Sequence, residues 1–481
     1  MNLDGMVKRL QDIMRQDAGV NGNAQRIEQI VWLLFLKLYD AKESEWEIYE
    51  DDYKSIIPEE YRWRNWAIDH KDGKALTGLE LVNFVTQLFL TLKDLEVDEN
   101  TLTRGRIVKE IFTDLNNYMK DGVLLRQVIN VLNEVDLTDF RTRHAFNEIY
   151  ESILKDLQSS RDSGEFYTPR ALTEFIVHAI KPKIGNTIAD FACGTGGFLV
   201  SALRFLSEDL NSTKDKLMLQ NSFYGVEKKS LPYLLCVTNM LLHDINEPHL
   251  YHDNSLEKNV RDYEAKDCFD IILMNPPYGG TEKKSIQINF PSELSSAETA
   301  DLFMIEILHR LKSNGKVGVI LPDGFLNGEG NKSKIKEKLM NECNLHTIVK
   351  LPNSTFAPYA TVATNILFFD KTGPTQEVWF YEHFLPINQK SYSKTKPIQF
   401  EEFYPELDWW NNRVENEHAW KVSIDEIIEN NYKLDFKNPS KKSDLVEDSL
   451  DDLIKGIEEN QEQISSLLKS IKEDVVNNEV L

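Results

Sequence analysis

Two stretches of the chain combine residue types and spacings suited to chemistry. Residues 269–280 read FDIILMNPPYGG, an apolar run from Ile271 to Met274 that ends in an amide, two rigid rings and a phenol. Proline has no N–H to continue a ladder and fixes its own φ, so Pro276 and Pro277 must stop the strand and hold Asn275 at its end. The Asn275 side-chain oxygen and the Pro276 carbonyl can both accept hydrogen bonds from one exocyclic amino group, orienting that nitrogen for attack. Tyr278 offers a flat face on which a heterocyclic base can stack. A proline turn after a strand is, taken alone, more often only a turn.

The second stretch is DFACGTGGF, residues 190–198, lying between an expected strand and an expected helix. Gly194, Gly196 and Gly197 let the backbone turn sharply and approach a ligand at the carboxyl end of a strand. Its spacing is not the full G-x-G-x-x-G, and a tight strand-to-helix connection would look similar. Glu227 strengthens the reading, because it ends the next strand, SFYGVE, where a carboxylate can accept both ribose hydroxyl protons of a nucleoside. A nucleoside-containing cofactor follows, with NAD and S-adenosylmethionine both open. Upstream, SGEFYTPRALTEFIV (163–177) carries Thr168-Pro169, an ordinary helix start whose position lets it close over the same cofactor.

The elements that must position these groups are legible as texture. Up to about residue 153 the pattern is helical only: RIEQIVWLLFLKLYD puts Ile27, Ile30, Val31, Leu34 and Leu38 on one face. Beyond it, short apolar runs alternate with helical stretches. TIADFA, SFYGVE, FDIILMN, KVGVILP, LHTIVKLP and ATNILFFD are bounded by turn residues and rich in β-branched or aromatic side chains. That alternation predicts an α/β fold with a mostly parallel sheet covered on both faces. The expected divisions are a helical region at 1–153, a catalytic region at 154–375, an irregular extension at 376–440 and a tail at 441–481. The tail carries 5 Lys and 11 acidic residues, with Leu450, Ile457, Ile464 and Ile471 seven apart as a short heptad seam. A solvated amphipathic helix and a helix that pairs with another subunit both fit it.

Composition narrows the class. No apolar run approaches the roughly 20 residues that span a bilayer, and MNLDGMVKRLQDIM has no signal-peptide core, so a cytoplasmic protein without a membrane is expected. Cys193, Cys236, Cys268 and Cys343 show no C-x-x-C spacing, and no Cys/His cluster points to a metal. The net charge of −23 opposes solitary binding to DNA phosphates and suggests that a partner shares the grip. No G-x-x-x-x-G-K-[ST] loop is present, so the chain should not itself drive ATP-dependent translocation. No Pro-Cys pair occurs either, which argues against cysteine-adduct methylation of cytosine.

DFACGTGGF, GVEK and NPPY, in that order, resemble the motifs of S-adenosylmethionine-dependent amino-methyltransferases acting on adenine N6. GEFYTPR, with LPDGFLNG and LPNSTFAPYATVATNILFF downstream and a helical region in front, is similar to the modification subunit of Type I restriction-modification systems. The likeness spans residues 5 to 375 and implies a doubly wound, seven-stranded methyltransferase sheet. It implies that Glu165, Phe166, Tyr167, Thr168, Pro169 and Arg170, with Asp190, Gly194, Thr195, Gly196 and Gly197, surround S-adenosylmethionine, and that Glu227 holds its ribose. In YHDNSL, Asn254 fits an adenine contact to the cofactor best, with Asp253 beside it. Asn275, Pro276, Pro277 and Tyr278 become the catalytic set, and Phe356, with Tyr359 close by, the aromatic on the base's other face. The implied partners are double-stranded DNA, a specificity (S) subunit and a restriction (R) subunit, with two M chains joining one S chain. Two alternatives are an amino-methyltransferase acting on RNA or on a protein glutamine, and a non-catalytic assembly subunit.

Overall fold

The computed structural model describes residues 4–70, 73–98, 102–158, 167–358, 360, 362–440 and 461. Met1–Phe436 forms one compact unit and Lys437–Leu481 another. The heptad seam expected in the tail lies outside the described residues. Among the described residues no helix is long and apolar enough to cross a membrane.

The amino-terminal region is helical, built on Asp4–Met14, Gly22–Tyr49, Gly78–Lys93, Leu102–Asp114, Gly122–Asn133 and Phe140–Gln158. The helix Gly22–Tyr49 differs from its expected one-faced pattern. Trp32, Leu33, Phe35 and Leu36 are buried together with Ile27, Ile30, Val31, Leu34 and Leu38, because other helices surround it. Its Lys37 is buried too, and its Nζ donates to the carbonyls of Leu132, at 2.6 Å, and Val135, at the end of the Gly122–Asn133 helix. Burial lowers that ammonium to about 8.

These helices do not stand apart from the sheet. They grip the helix Ser230–Leu242, where the Tyr150 hydroxyl donates to the Leu235 carbonyl at 2.8 Å and the Tyr233 hydroxyl to Glu110 at 2.6 Å. Lys42 pairs with Asp244 just beyond it, and Arg143 pairs with Glu45 at 2.6 Å. The junction expected at residue 153 therefore falls inside one packed unit.

Among the described residues the sheet has nine strands, the expected seven and two more at one edge: β1 Ile188–Asp190, β2 Phe223–Glu227, β3 His249–His252, β4 Phe269–Met274, β5 Leu311–Pro322, β6 Asn344–Lys350, β7 Thr364–Asp370, β8 Glu377–Glu382 and β9 Ala419–Ser423. Their order is β3-β2-β1-β4-β5-β7-β6-β8-β9. The first five run parallel in space, β7 is antiparallel to both β5 and β6, and the seven together make the doubly wound core. The segment 376–440, expected to be irregular, supplies β8, parallel to β6, and β9, antiparallel to β8. The short strand β3 was not anticipated.

Both faces are covered. In β4, Ile271 and Leu273 join the apolar core that continues into the amino-terminal helices, while Ile272 and Met274 join the opposite one. A run buried on both sides reads as continuous hydrophobicity, and each such side chain contributes about 1.5–3 kcal/mol of burial.

Candidate active site

A cavity opens where β1, β2 and β4 end, at the point where strand order reverses and where sheets of this kind hold ligands. It encloses about 900 Å³ of empty space, its open mouth included.

Two buried carboxyl groups form its floor. Asp190 closes β1 at 2% exposure and accepts the Ala192 N–H at 3.1 Å. Burial pushes its carboxyl up to about 8; the hydrogen bond opposes this and the Glu227 charge adds to it. Glu227 closes β2, accepting the Gly194 N–H on Oε2 at 2.9 Å and the Lys229 N–H on Oε1 at 2.7 Å. Burial raises this carboxyl as well, against those N–H groups. Each Glu227 oxygen keeps a lone pair for an outside donor.

The glycine turn is as tight as its sequence suggests. Gly196, at φ 78°, caps the helix Gly197–Ser207, and a Cβ on it would meet Cys236 Sγ at 2.8 Å. A Cβ on Gly197 would fall 2.2 Å from Arg170 Nη1. Thr195 is 1% exposed; its carbonyl accepts from Asn239 Nδ2 at 3.1 Å, and its Oγ1 is buried with no hydrogen-bond partner.

At the end of β4, Asn275 Nδ2 donates to Thr168 Oγ1 at 3.1 Å, and Asn275 Oδ1 is buried without a partner. The wall thus joins Thr168, Asp190, Gly194, Thr195, Gly197, Glu227, Asp253, Asn254, Asn275 and Pro277. Asn254 spends its Oδ1 on the Leu256 N–H at 3.3 Å and its Nδ2 on Glu257 at 3.3 Å, whereas Asp253 is exposed beside it.

Other expected residues stand elsewhere. Gly196, Pro276 and Tyr278 flank lining residues without lining the cavity, and Tyr278 is half-buried against the second apolar core. Tyr167, Pro169 and Arg170 line a neighbouring cavity, where Arg170 pairs with Glu151 at 2.9 Å. Phe356 is 4% exposed and belongs to the larger apolar core. Glu165, Phe166 and Tyr359 lie outside the described residues.

Sequence reasoning missed part of the wall. Phe191, Phe198, Leu256 and Phe303 give it apolar surface, and Glu282 and Thr299 close one side. The Thr299 N–H donates to the Gly280 carbonyl at 3.1 Å and its hydroxyl to Glu282 at 3.3 Å, so the loop after Tyr278 returns to the cavity. Thr299 and Phe303 lie four apart on one helix face, the only signal that could have paired them.

Comparison with known proteins places the whole chain in a family. The family described as N-6 DNA Methylase matches residues 141–448, and that described as HsdM N-terminal domain matches residues 3–132. The chain is 50% identical to the Type I restriction enzyme EcoEI methylase subunit of Escherichia coli, over 98% of this chain and 97% of that one. It is 30% identical to the StySPI methylase subunit of Salmonella potsdam, over 84% and 76% respectively. A chain solved in work on complex assembly and conformational transition of the type I R-M system superposes with a TM-score of 0.82 at 34% identity, covering 99% of this chain and 98% of that chain.

Proposed function

The chain belongs to the methylase subunits of Type I restriction enzymes, and from that premise we infer that it transfers a methyl group from S-adenosylmethionine to N6 of adenine in DNA. One observation carries the assignment of roles: Asn275 Oδ1, at the end of β4, is a buried acceptor without a donor. Buried polar atoms are nearly always paired, so an orphan facing a cavity marks a place for a ligand's donor.

The residues present fit the cofactor. Thr195 Oγ1 also lacks a partner, and among the described residues Asp190 and Glu227 are held by backbone N–H groups rather than by an ion pair, with the Lys229 charge nearby favouring the Glu227 carboxylate. An ammonium group and two ribose hydroxyls would find acceptors there: Glu227 for the ribose, Asp190 and Thr195 for the amino-acid portion. Asp253 and Asn254 both lie where the cofactor's adenine would be met; Asp253 Oδ1 accepts the Asn254 N–H at 2.7 Å and leaves its second oxygen at the exposed edge of the cavity, while Asn254 spends both ends of its amide locally. When bound, S-adenosylmethionine supplies an electrophilic sulfonium methyl.

The chain's own part is positioning. The target adenine leaves the duplex at a cost of a few kcal/mol, and its ring would stack at the rim of the cavity on Tyr278, whose other face packs against the second apolar core. Asn275 Oδ1 and the Pro276 carbonyl accept the two N6 hydrogens, which directs the nitrogen lone pair toward the methyl. The phenylalanine walls exclude water while the fixed dipoles stabilise charge developing on N6. No general-base histidine is needed.

Sequence recognition falls to a specificity subunit, with a restriction subunit added and two of these chains joined to one specificity chain. The net charge of −23 supports a shared hold on DNA. With that specificity partner, the chain should move tritium from labelled S-adenosylmethionine into N6-methyladenine. Asn275→Ala should slow this transfer by about 10²–10³-fold while cofactor affinity changes little. Label entering RNA or protein, and not DNA, would overturn the reading.

A further inference from the structure

We propose that Thr168 is a positioning residue for methyl transfer: its hydroxyl oxygen holds the Asn275 amide in the orientation that presents Oδ1 to the adenine amino group. The inference rests on the function proposed above and assigns a task to a residue otherwise read as a helix start or a cofactor contact.

An amide end is asymmetric, one half accepting and the other donating. Pro276 and Pro277 fix the backbone on which Asn275 stands, but they do not decide which half of the amide faces the cavity. Turned the wrong way, Nδ2 would meet the N6 hydrogens donor against donor. In the structure Nδ2 donates to Oγ1 of Thr168, 107 positions earlier, at 3.1 Å and Oδ1 is left buried and unpartnered. A hydroxyl can also donate, so the choice is enforced once the Thr168 O–H is given to another acceptor in the cavity and Oγ1 can only accept from the amide.

Thr168 is itself well anchored. It precedes Pro169, which restricts its backbone to extended conformations, and its β-branch limits χ1, so the hydroxyl is preset. The helix that follows, Arg170–Ile180, is tied at its first residue by the bond from Arg170 Nε to Glu151 at 2.9 Å. The Thr168 oxygen accepts from Asn275 while its own O–H remains able to donate into the cavity.

The test uses the chain assembled with its specificity partner, single-turnover transfer from tritiated S-adenosylmethionine, and cofactor affinity measured separately. Thr168→Val keeps the shape and removes the acceptor; the transfer rate should fall about 10–100-fold with cofactor affinity within about threefold, and Thr168→Ser should restore the rate. A mere packing role would not be rescued through the hydroxyl. Asn275→Asp sharpens the test, because either oxygen of a carboxylate accepts and no orientation is needed. In that background Thr168→Val should cost less than about threefold. An equal loss in both backgrounds, a loss carried wholly by cofactor affinity, or an unaltered rate in Thr168→Val would overturn the role. A wild-type complex that methylates no adenine would overturn the proposed function and this role with it.

Discussion

Phe191 separates two buried charge clusters that follow opposite rules. On one side, Arg310 sits 4.2 Å from its ring centre and 4.3 Å from that of Tyr263, paired with Glu306 at 3.0 Å. Both charged side chains are almost fully buried, and the Tyr263 hydroxyl donates to the same Glu306 at 3.1 Å. On the other side, Asp190 and Glu227 face the cavity held by backbone N–H groups, with no ion pair among the described residues and the Lys229 charge acting only on Glu227 from a distance. A buried carboxylate that brings its counter-ion is architecture. A pair held by backbone N–H groups without an ion pair is a place prepared for a donor from outside; burial raises all three carboxyl groups, Glu306 included, so the partner and not the shift separates the clusters.

The contrast can be broken by exchanging the readouts. The largest effect should come from Arg310→Ala, which strands Glu306 as an uncompensated buried carboxylate. Loss of stability by about 3–5 kcal/mol, seen as a lower denaturant midpoint, is expected. If cofactor affinity collapsed and stability held, Arg310 would belong to the binding site instead.

Glu227→Gln should do the reverse. It removes the charge and points an amide donor at an N–H, so cofactor affinity should fall about 10–100-fold in equilibrium dialysis. Stability should change little, because relief from burying a carboxylate offsets the one backbone N–H left without its acceptor. A fall in stability with affinity intact would erase the distinction drawn here.

The smallest signal is a proton. With its carboxyl near 8, Asp190 is protonated at neutral pH and binds more protons folded than unfolded, so its contribution to stability is present at low pH and lost as pH rises toward 8. A bound cation would favour the carboxylate. Cofactor binding below pH 8 should therefore release up to one proton, measured as a dependence of binding heat on the buffer's ionisation enthalpy. No release in the wild type, or the same release from Asp190→Asn, would remove Asp190 from the account.

What could be read from the sequence was local. The proline stop after β4, the glycine turn after β1 and Glu227 at the end of β2 are each written within a few residues, and six strands declared themselves through β-branched and aromatic runs. β3 did not, since His249–His252 is a four-residue edge strand with two histidines and no β-branched residue. In EVWFYE the aromatic residues of β8 read as irregular chain because no helix or glycine turn announces a return to the sheet. The wall contributed by Thr299 and Phe303, and the grip of Thr168 on Asn275, depend on distant segments meeting, which no local pattern encodes. Phe356 is ambiguous for a related reason: an aromatic beside a strand looks the same in sequence whether it faces a ligand or the core.

The helix Ser230–Leu242 has two customers. Asn239 and Cys236 on it support the glycine turn, while Leu235 and Tyr233 receive the amino-terminal helices. At about 20 Å it is a short, stiff beam with its full apolar girth enclosed. The catalytic region is therefore not severable from the helices in front of it: a fragment beginning after residue 160 would expose one flank of the very strut that keeps the cofactor loop in shape. Any partner that pulls on the amino-terminal region is also pulling, through one rigid member, on the floor of the active site.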